Sequence, residues 1–212
     1  MPMSCPPDLP GALEELLLWR RDVRHFRSDP LDEALVEDLL RIAQLAPSVG
    51  NAQPWRYIRI RSKDLRSALA THADEQVRVA GDRYGDPRLR GRYDALKLHG
   101  LREAPEIVAV FCDEAGQRGR RLGAITMPEA LRYSVVLSIH TLWLAARARA
   151  IGLGWVSIVQ PDHVSALLGV PPSWRFVALL CLGRAEGEDD VPELQRRGWQ
   201  ARVPWQENVS VL

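Results

Sequence analysis

Arg20, Arg21 and Arg24 surround Asp22 in the stretch RRDVRHF, residues 20–26. Guanidinium forks match carboxylate and phosphate oxygens two at a time, so the cluster suits an anionic ligand. A competing reading needs no ligand. Arginines that follow an apolar helical pattern complement the negative end of the helix dipole. Asp22 is open in the same way. It either neutralises its neighbours or is a reactive carboxylate that nearby cations hold ionised at neutral pH.

Two further stretches carry polar groups where a ligand could use them. In APSVGNAQPWRY, residues 46–57, Pro47 and Gly50 shape a turn and Pro54 fixes the entry to a strand. Asn51 and Gln53 offer amides that both donate and accept, as a polar heterocycle with carbonyls and ring nitrogens requires. Plain turn chemistry accounts for the same residues. In GLGWVSI, residues 152–158, two glycines precede a strand and allow close backbone approach to a flat ligand. Ser157 is expected inside that strand, where its hydroxyl needs a partner or a polar cavity. The patterns GxSxG, GxGxxG and Walker A are absent. His25, His72, His99, His140 and His163 lack zinc-type spacing, so no metal site is expected, and His140 reads as a core histidine.

The elements that must position these residues follow from periodicity. Residues 11–19 and 31–45 read as helices, the second with Asp29 as N-cap, Pro30 at its first position and Pro47 beyond its end. Residues 55–61, 107–112, 154–159 and 176–182 read as strands. The last three are nearly continuous apolar runs and are expected centrally in a sheet. Residues 63–104 are polar and arginine-rich, and fit two helical pieces broken near Gly85 to Pro87. Residues 129–150 form a long helix without a convincing solvent face, which needs a core or a dimer interface around it. The tail after Gly183 is polar and Pro-containing, with Trp199 and Trp205 as anchors for a wrapping segment.

The 212 residues fit one domain, 1–212. The formal net charge of +1 gives no basic field for nucleic acid. Cys5, Cys112 and Cys181 are widely spaced, as in reduced buried thiols of a cytoplasmic protein. The start lacks an apolar signal segment, and His140, Arg147 and Arg149 interrupt the longest apolar stretch, so no membrane span is expected.

The order of the motifs is more specific than any one of them. RRDVRxF, APSVGxxQPW, LKLxGLREAP at 96–105, YSVVLSIHTLWLAARARAIGLGWVSI and the strand LLCLG resemble the flavin-dependent nitroreductase superfamily, over residues 14–205. Within it they resemble the 5,6-dimethylbenzimidazole synthase (BluB) family, which has an aspartate where ordinary nitroreductases carry serine after the paired arginines. His99, Leu131 and His140 depart from that family's usual pattern.

The resemblance implies an α+β fold, with a mostly antiparallel central sheet flanked by helices. It implies a homodimer with flavin sites at the interface, a lid around 72–95 and a wrapping tail 184–212. It implies FMN held by Arg20, Arg21, Arg24, Pro47, Ser48, Gly50, Asn51, Gln53, Leu98, Gly154, Trp155, Val156 and Ser157. Asp22 and Ser157 are the implied catalytic residues. Reduced FMN is then a substrate, consumed with molecular oxygen to give 5,6-dimethylbenzimidazole, the lower ligand of cobalamin, and erythrose 4-phosphate. A separate flavin reductase is a possible source of the reduced form. The alternatives are an NAD(P)H-dependent FMN nitroreductase or quinone oxidoreductase, and a non-catalytic flavin-binding protein.

Overall fold

The apolar runs IVAVFC and FVALLCL become the two middle strands of a four-stranded sheet because both of their faces are covered. In the computed structural model, which describes residues 6–212, the strands are β1 (Trp55–Arg59), β2 (Glu106–Asp113), β3 (Gly152–Val156) and β4 (Trp174–Gly183). Their order is β1-β2-β4-β3, and every neighbouring pair is antiparallel.

Side chains alternate across the sheet. Val108, Val110, Cys112, Ala178, Leu180 and Leu182 point to one layer, which holds α2 (Glu33–Ala43) and α5 (Ala130–Arg147). Ile107, Ala109, Phe111, Leu179 and Cys181 point to the other, which holds α3 (Lys63–Gly81) and α6 (Pro161–Leu168). A strand buried on both faces has no polar alternation, which is why these runs read as continuous. Cys112 and Cys181 are buried free thiols, and burial pushes both up to about 12. Cys5 lies outside the described residues.

Three expectations need correction. Asp32, not Asp29, caps α2: its Oδ1 accepts from the Ala34 N–H at 2.7 Å, so Asp29 and Pro30 stay in the extended entry and the helix ends at Ala43. β3 is an outer strand of the sheet rather than a central one. It also begins at Gly152 and ends at Val156, which leaves Ser157 beyond it. His140 is exposed, because α5 turns Leu131, Ser134, Val135, Ser138, Ile139, Leu142, Ala145 and Ala146 to the sheet and His140 away from it.

The outer edge of β3 is covered by the RRDVRHF segment. Asp22 bridges Leu153 in parallel, the Val23 N–H donates to the Leu153 carbonyl at 3.0 Å, and Phe26 bridges Ala185 in the antiparallel sense. The approach is close enough to require glycine. A Cβ on Gly154 would overlap the Val23 carbonyl oxygen, and one on Gly100 would lie 2.5 Å from the Phe26 ring. Gly183 is similarly tight, 3.1 Å from that ring. The glycine of GLGW thus makes room for the chain's own segment rather than for a ligand.

The polar excursion divides as expected into α3 and α4 (Pro87–Asp94). Trp199 of the tail closes on it, with ring centroids 5.8 Å from Tyr84 and 6.2 Å from Tyr93. α1 (Leu9–Trp19) buries no residue; Leu9, Leu13, Leu17 and Leu18 are exposed. On α5 the face away from the sheet also exposes apolar side chains, at Tyr133, Val136 and Leu137. Among the described residues no helix is long and apolar enough to cross a membrane.

Gly154→Ala should destabilise the fold by about 1–3 kcal/mol or more, the range for overpacking a tight contact. Gly85→Ala, whose Cβ meets nothing within 4 Å, should stay within about 0.5 kcal/mol. Urea unfolding of both variants reads the difference; equal effects would mean that the segment docks elsewhere.

Candidate active site

The three arginines do not share one task. After α1 ends, the chain turns extended at Arg20 and runs to the β3 edge. Arg20 places its guanidinium 4.7 Å from the centre of the Trp143 ring. Trp143 also donates from Nε1 to the Arg21 carbonyl at 3.0 Å, so one α5 side chain holds both residues. Arg21 turns to main-chain carbonyls: those of Leu18, at the end of α1, and of Asp189 and Asp190 in the tail. For Arg21 the ligand-free helix-end reading describes this geometry. Arg24 pairs with Asp22 at 2.8 Å and lies 4.0 Å from Glu193. Its Nη1 is buried and has no hydrogen-bond partner. Leaving such a donor unsatisfied costs about 1–3 kcal/mol, so the position fits an anionic acceptor supplied from outside the chain.

Asp22 is held on both carboxylate oxygens. Oδ1 accepts from the Trp155 N–H at 2.8 Å and Oδ2 takes Arg24. Roughly a third of its side-chain surface, 32%, stays open. It faces a cleft of about 340 Å³ lined also by Arg21, Arg24, His25, Glu193 and Arg197. Burial raises the Asp22 carboxyl above its ordinary value, while Arg24, the Trp155 N–H and Arg20 oppose that shift. The direction reverses the expectation drawn from counting arginines. Only Arg24 touches the carboxylate, and desolvation outweighs it. The result is a more basic carboxylate than an exposed aspartate.

Gly154 and Val156 are buried and Trp155 is half-buried; β3 reaches the cleft through the Trp155 N–H that Asp22 accepts. Ser157 is exposed, and its hydroxyl has no hydrogen-bond partner among the described residues. The strand-interior expectation fails. Leu98 is half-buried, two residues before the Gly100 that beds Phe26.

The APSVGNAQPW loop lies elsewhere. Three of its residues, Gly50, Asn51 and Gln53, have positive φ, at 53°, 55° and 46°. Two of the three are not glycine, and such strain gathers at functional sites. The loop is fixed by side chains. The Val49 N–H donates to Ser134 Oγ at 3.0 Å, and the Gln53 N–H to Ser48 Oγ at 3.0 Å. Gln53 donates to Asn51 Oδ1 at 3.1 Å, and Pro47 is exposed. The loop is pinned to α5 at Ser134, whereas Arg20 and Arg21 are pinned at Trp143. At 1.5 Å per residue those points are about 13 Å apart along the helix. One chain therefore brings together Asp22, Arg24, Trp155 and the end of β3. It leaves Pro47, Ser48, Gly50, Asn51 and Gln53 as a separate group. No metal-ligating cluster occurs among the described residues.

Sequence reasoning missed Phe26, Trp143 and Glu193. Phe26 was visible as the apolar end of the arginine motif. The others depend on contacts between distant segments, which no local pattern reports.

A family model described as "Nitroreductase family" matches residues 17–184. The chain belongs to the nitroreductase family. It is 54% identical over 200 residues to a 5,6-dimethylbenzimidazole synthase of Rhodospirillum rubrum, covering 93% of each chain. To one of Rhodobacter capsulatus it is 48% identical, over 91% of this chain and 93% of the relative. Among solved structures, an oxidized iodotyrosine deiodinase bound to FMN and 3-iodo-L-tyrosine superposes with a TM-score of 0.70 at 23% identity, over 84% of this chain and 91% of that one. The α+β architecture expected from the motif order is thus the fold observed.

The raised Asp22 carboxyl has a measurable consequence. A carboxyl whose folded value exceeds its unfolded one binds more protons when folded, so stability falls as pH rises through that window. Relative to Asp22→Asn, the parent protein should lose stability as pH rises from about 4 towards neutrality. Urea unfolding of both proteins across that range reads it, and a parent that gains ground with rising pH would show Arg24 to dominate.

Proposed function

We propose that the protein is a 5,6-dimethylbenzimidazole synthase, with reduced FMN and molecular oxygen as substrates. The observation that carries this reading is Asp22. It stands where the arginine motif meets the end of β3, with one face open to the cleft and a basicity raised by burial. The high identity to named synthases over nearly the whole chain supports the same reading.

The residues present fit FMN. Arg24 has a buried donor without a partner, suited to a phosphate oxygen. Arg21 adds positive charge at that end of the cleft, and Arg20 stands beside it on Trp143. Asn51 and Gln53, on the loop from Pro47 through Ser48 and Gly50, offer amides of both polarities to the edge of a flavin ring. Leu98, Gly154, Trp155 and Val156 would lie along the ring, Gly154 and Val156 through their main chain. When bound, reduced FMN supplies an electron-rich ring that reacts with oxygen. The protein's part is to hold that ring, exclude water and move protons. Asp22 accepts a proton at Oδ2 or Oδ1 as the ring is cut, and general-base help of this kind is typically worth about 10²–10⁴-fold. Ser157, with its free hydroxyl, orients the reacting part of the ring.

A cleft of about 340 Å³ lies at the small end of ligand sites. Since the 47–53 loop is about 13 Å along α5 from the arginines, a symmetric homodimer is the economical way to complete the site. The exposed apolar residues of α1 and α5 supply the surface for it. In that dimer the loop of one subunit faces the Asp22 cleft of the other. Residues 72–95 serve as the lid, held by the tail through Trp199. A separate reductase supplies the reduced flavin, and the setting is cytoplasmic.

Aerobic incubation with excess chemically reduced FMN, followed by mass spectrometry, tests the assignment. Free 5,6-dimethylbenzimidazole is expected. Intact FMN together with steady nicotinamide oxidation would make the protein an ordinary flavin reductase. Asp22→Asn should still bind FMN, yet form the benzimidazole at least about 100-fold more slowly. Riboflavin, which lacks the phosphate, should bind about ten- to a hundredfold more weakly than FMN in a fluorescence titration. Equal affinities would remove the arginine clamp.

A further inference from the structure

β3 ends at Val156 and α6 starts at Pro161, so the segment 157–160 that carries Ser157 has no strand or helix of its own. Val159 is buried, but Ser157 and Gln160 are exposed. Gln160 is the N-cap of α6 and its side chain makes no capping bond. Its N–H lies outside the helix ladder and would have no main-chain partner. His72 takes it. From α3, 88 residues earlier, His72 Nε2 accepts the Gln160 N–H at 2.9 Å. The Gln160 side chain reaches Gln76 of the same helix at 3.4 Å. The His72 ring is buried and stacks on His163 of α6, centroids 4.0 Å apart and planes inclined by 14°.

We infer that His72 is a positioning residue: its Nε2 fixes Gln160 and, through it, the segment that presents Ser157. The inference rests on the role given to Ser157 above. Nothing in that role assigns work to α3, whereas this bond ties the helical excursion to the segment that carries Ser157.

The bond sets the protonation state. A ring nitrogen that accepts from an N–H carries no proton, so His72 is neutral with its hydrogen on Nδ1. A second proton would set donor against donor at Gln160. The groups facing His72 are Asp64 and Glu75 on α3 and His163 on α6; the segment 157–160 brings no charge. Burial lowers the His72 value from 6.5, His163 lowers it further, and Glu75 opposes both. The latch is therefore intact at neutral pH and opens on the acid side of 6.5.

Two variants test this. His72→Leu fills the ring's place without an acceptor, and His72→Gln keeps an acceptor that does not titrate. In the ligand-free protein, amide hydrogen exchange at Gln160 should speed up about tenfold in His72→Leu. Benzimidazole formation in a single turnover should slow by a similar factor, with FMN affinity within about twofold of the parent's. His72→Gln should restore both readouts and remove the parent's acid-side increase in Gln160 exchange. Unchanged Gln160 exchange in His72→Leu would overturn the latch. A rate loss matched by lost FMN affinity would overturn the positioning role and indicate general damage. Faster exchange with an undiminished rate would also overturn it. If no protein, the parent included, made benzimidazole while exchange responded as expected, the latch would stand and the assigned reaction would fall.

Discussion

The site depends on one close approach: the main chain of Asp22 and Val23 lying along the outer edge of β3. That contact is made possible by Gly154, whose missing side chain leaves room for the Val23 carbonyl. It is fastened by hydrogen bonds from Val23 to Leu153 and from Trp155 to Asp22. Phe26, bedded against Gly100 and Gly183, prevents the segment from sliding. The same contact covers the β3 edge of the sheet, which would otherwise need shielding in some other way. The residue that fastens the edge is thus also the one whose carboxylate we propose as the base.

Asp22 consequently has two loads. Its bond to the Trp155 N–H is structural, and its pairing with Arg24 offsets a burial that would otherwise disfavour the charge. Neither use consumes the carboxylate, because charged oxygens accept more than one hydrogen bond. Desolvation makes it more basic than a surface aspartate while the open part of its surface keeps it reachable. Arg24 is tied to Asp22 through Nη2, while its Nη1 makes no hydrogen bond and lies 4.0 Å from Glu193 in the same cleft.

Much of the fold was legible in the sequence where periodicity was strong. The runs 107–112 and 176–182 read as buried strands because both faces are covered, and the break near Gly85 to Pro87 separates α3 from α4. Elsewhere local patterns misled. Asp29 and Asp32 both suit a cap, and only the bond to Ala34 distinguishes them. Ser157 read as strand because Ile158 and Val159 continue the apolar run, yet those residues pack in the core beyond the last pairing with β4. The RRD motif announced a charged site but not its division of labour. Arg20 on Trp143, Arg21 on the tail carbonyls and Arg24 on Asp22 follow from contacts many residues apart. The separation of Asn51 and Gln53 from Asp22 was equally invisible, since adjacency in a motif list carries no distance.

That separation is the ground for the dimeric site we propose, in which each reaction centre combines Asp22 of one chain with the 47–53 loop of a second copy. Mixing two inactive variants measures it. Asp22→Asn removes the base; Asn51→Gly keeps the positive φ and removes the amide. After unfolding and refolding together, half of randomly formed dimers are mixed, and each holds one undamaged site, so benzimidazole formation should return to about a quarter of the parent's rate. A mixture no more active than the sum of the two variants alone would show that each chain completes its own site, and would rule out the shared one.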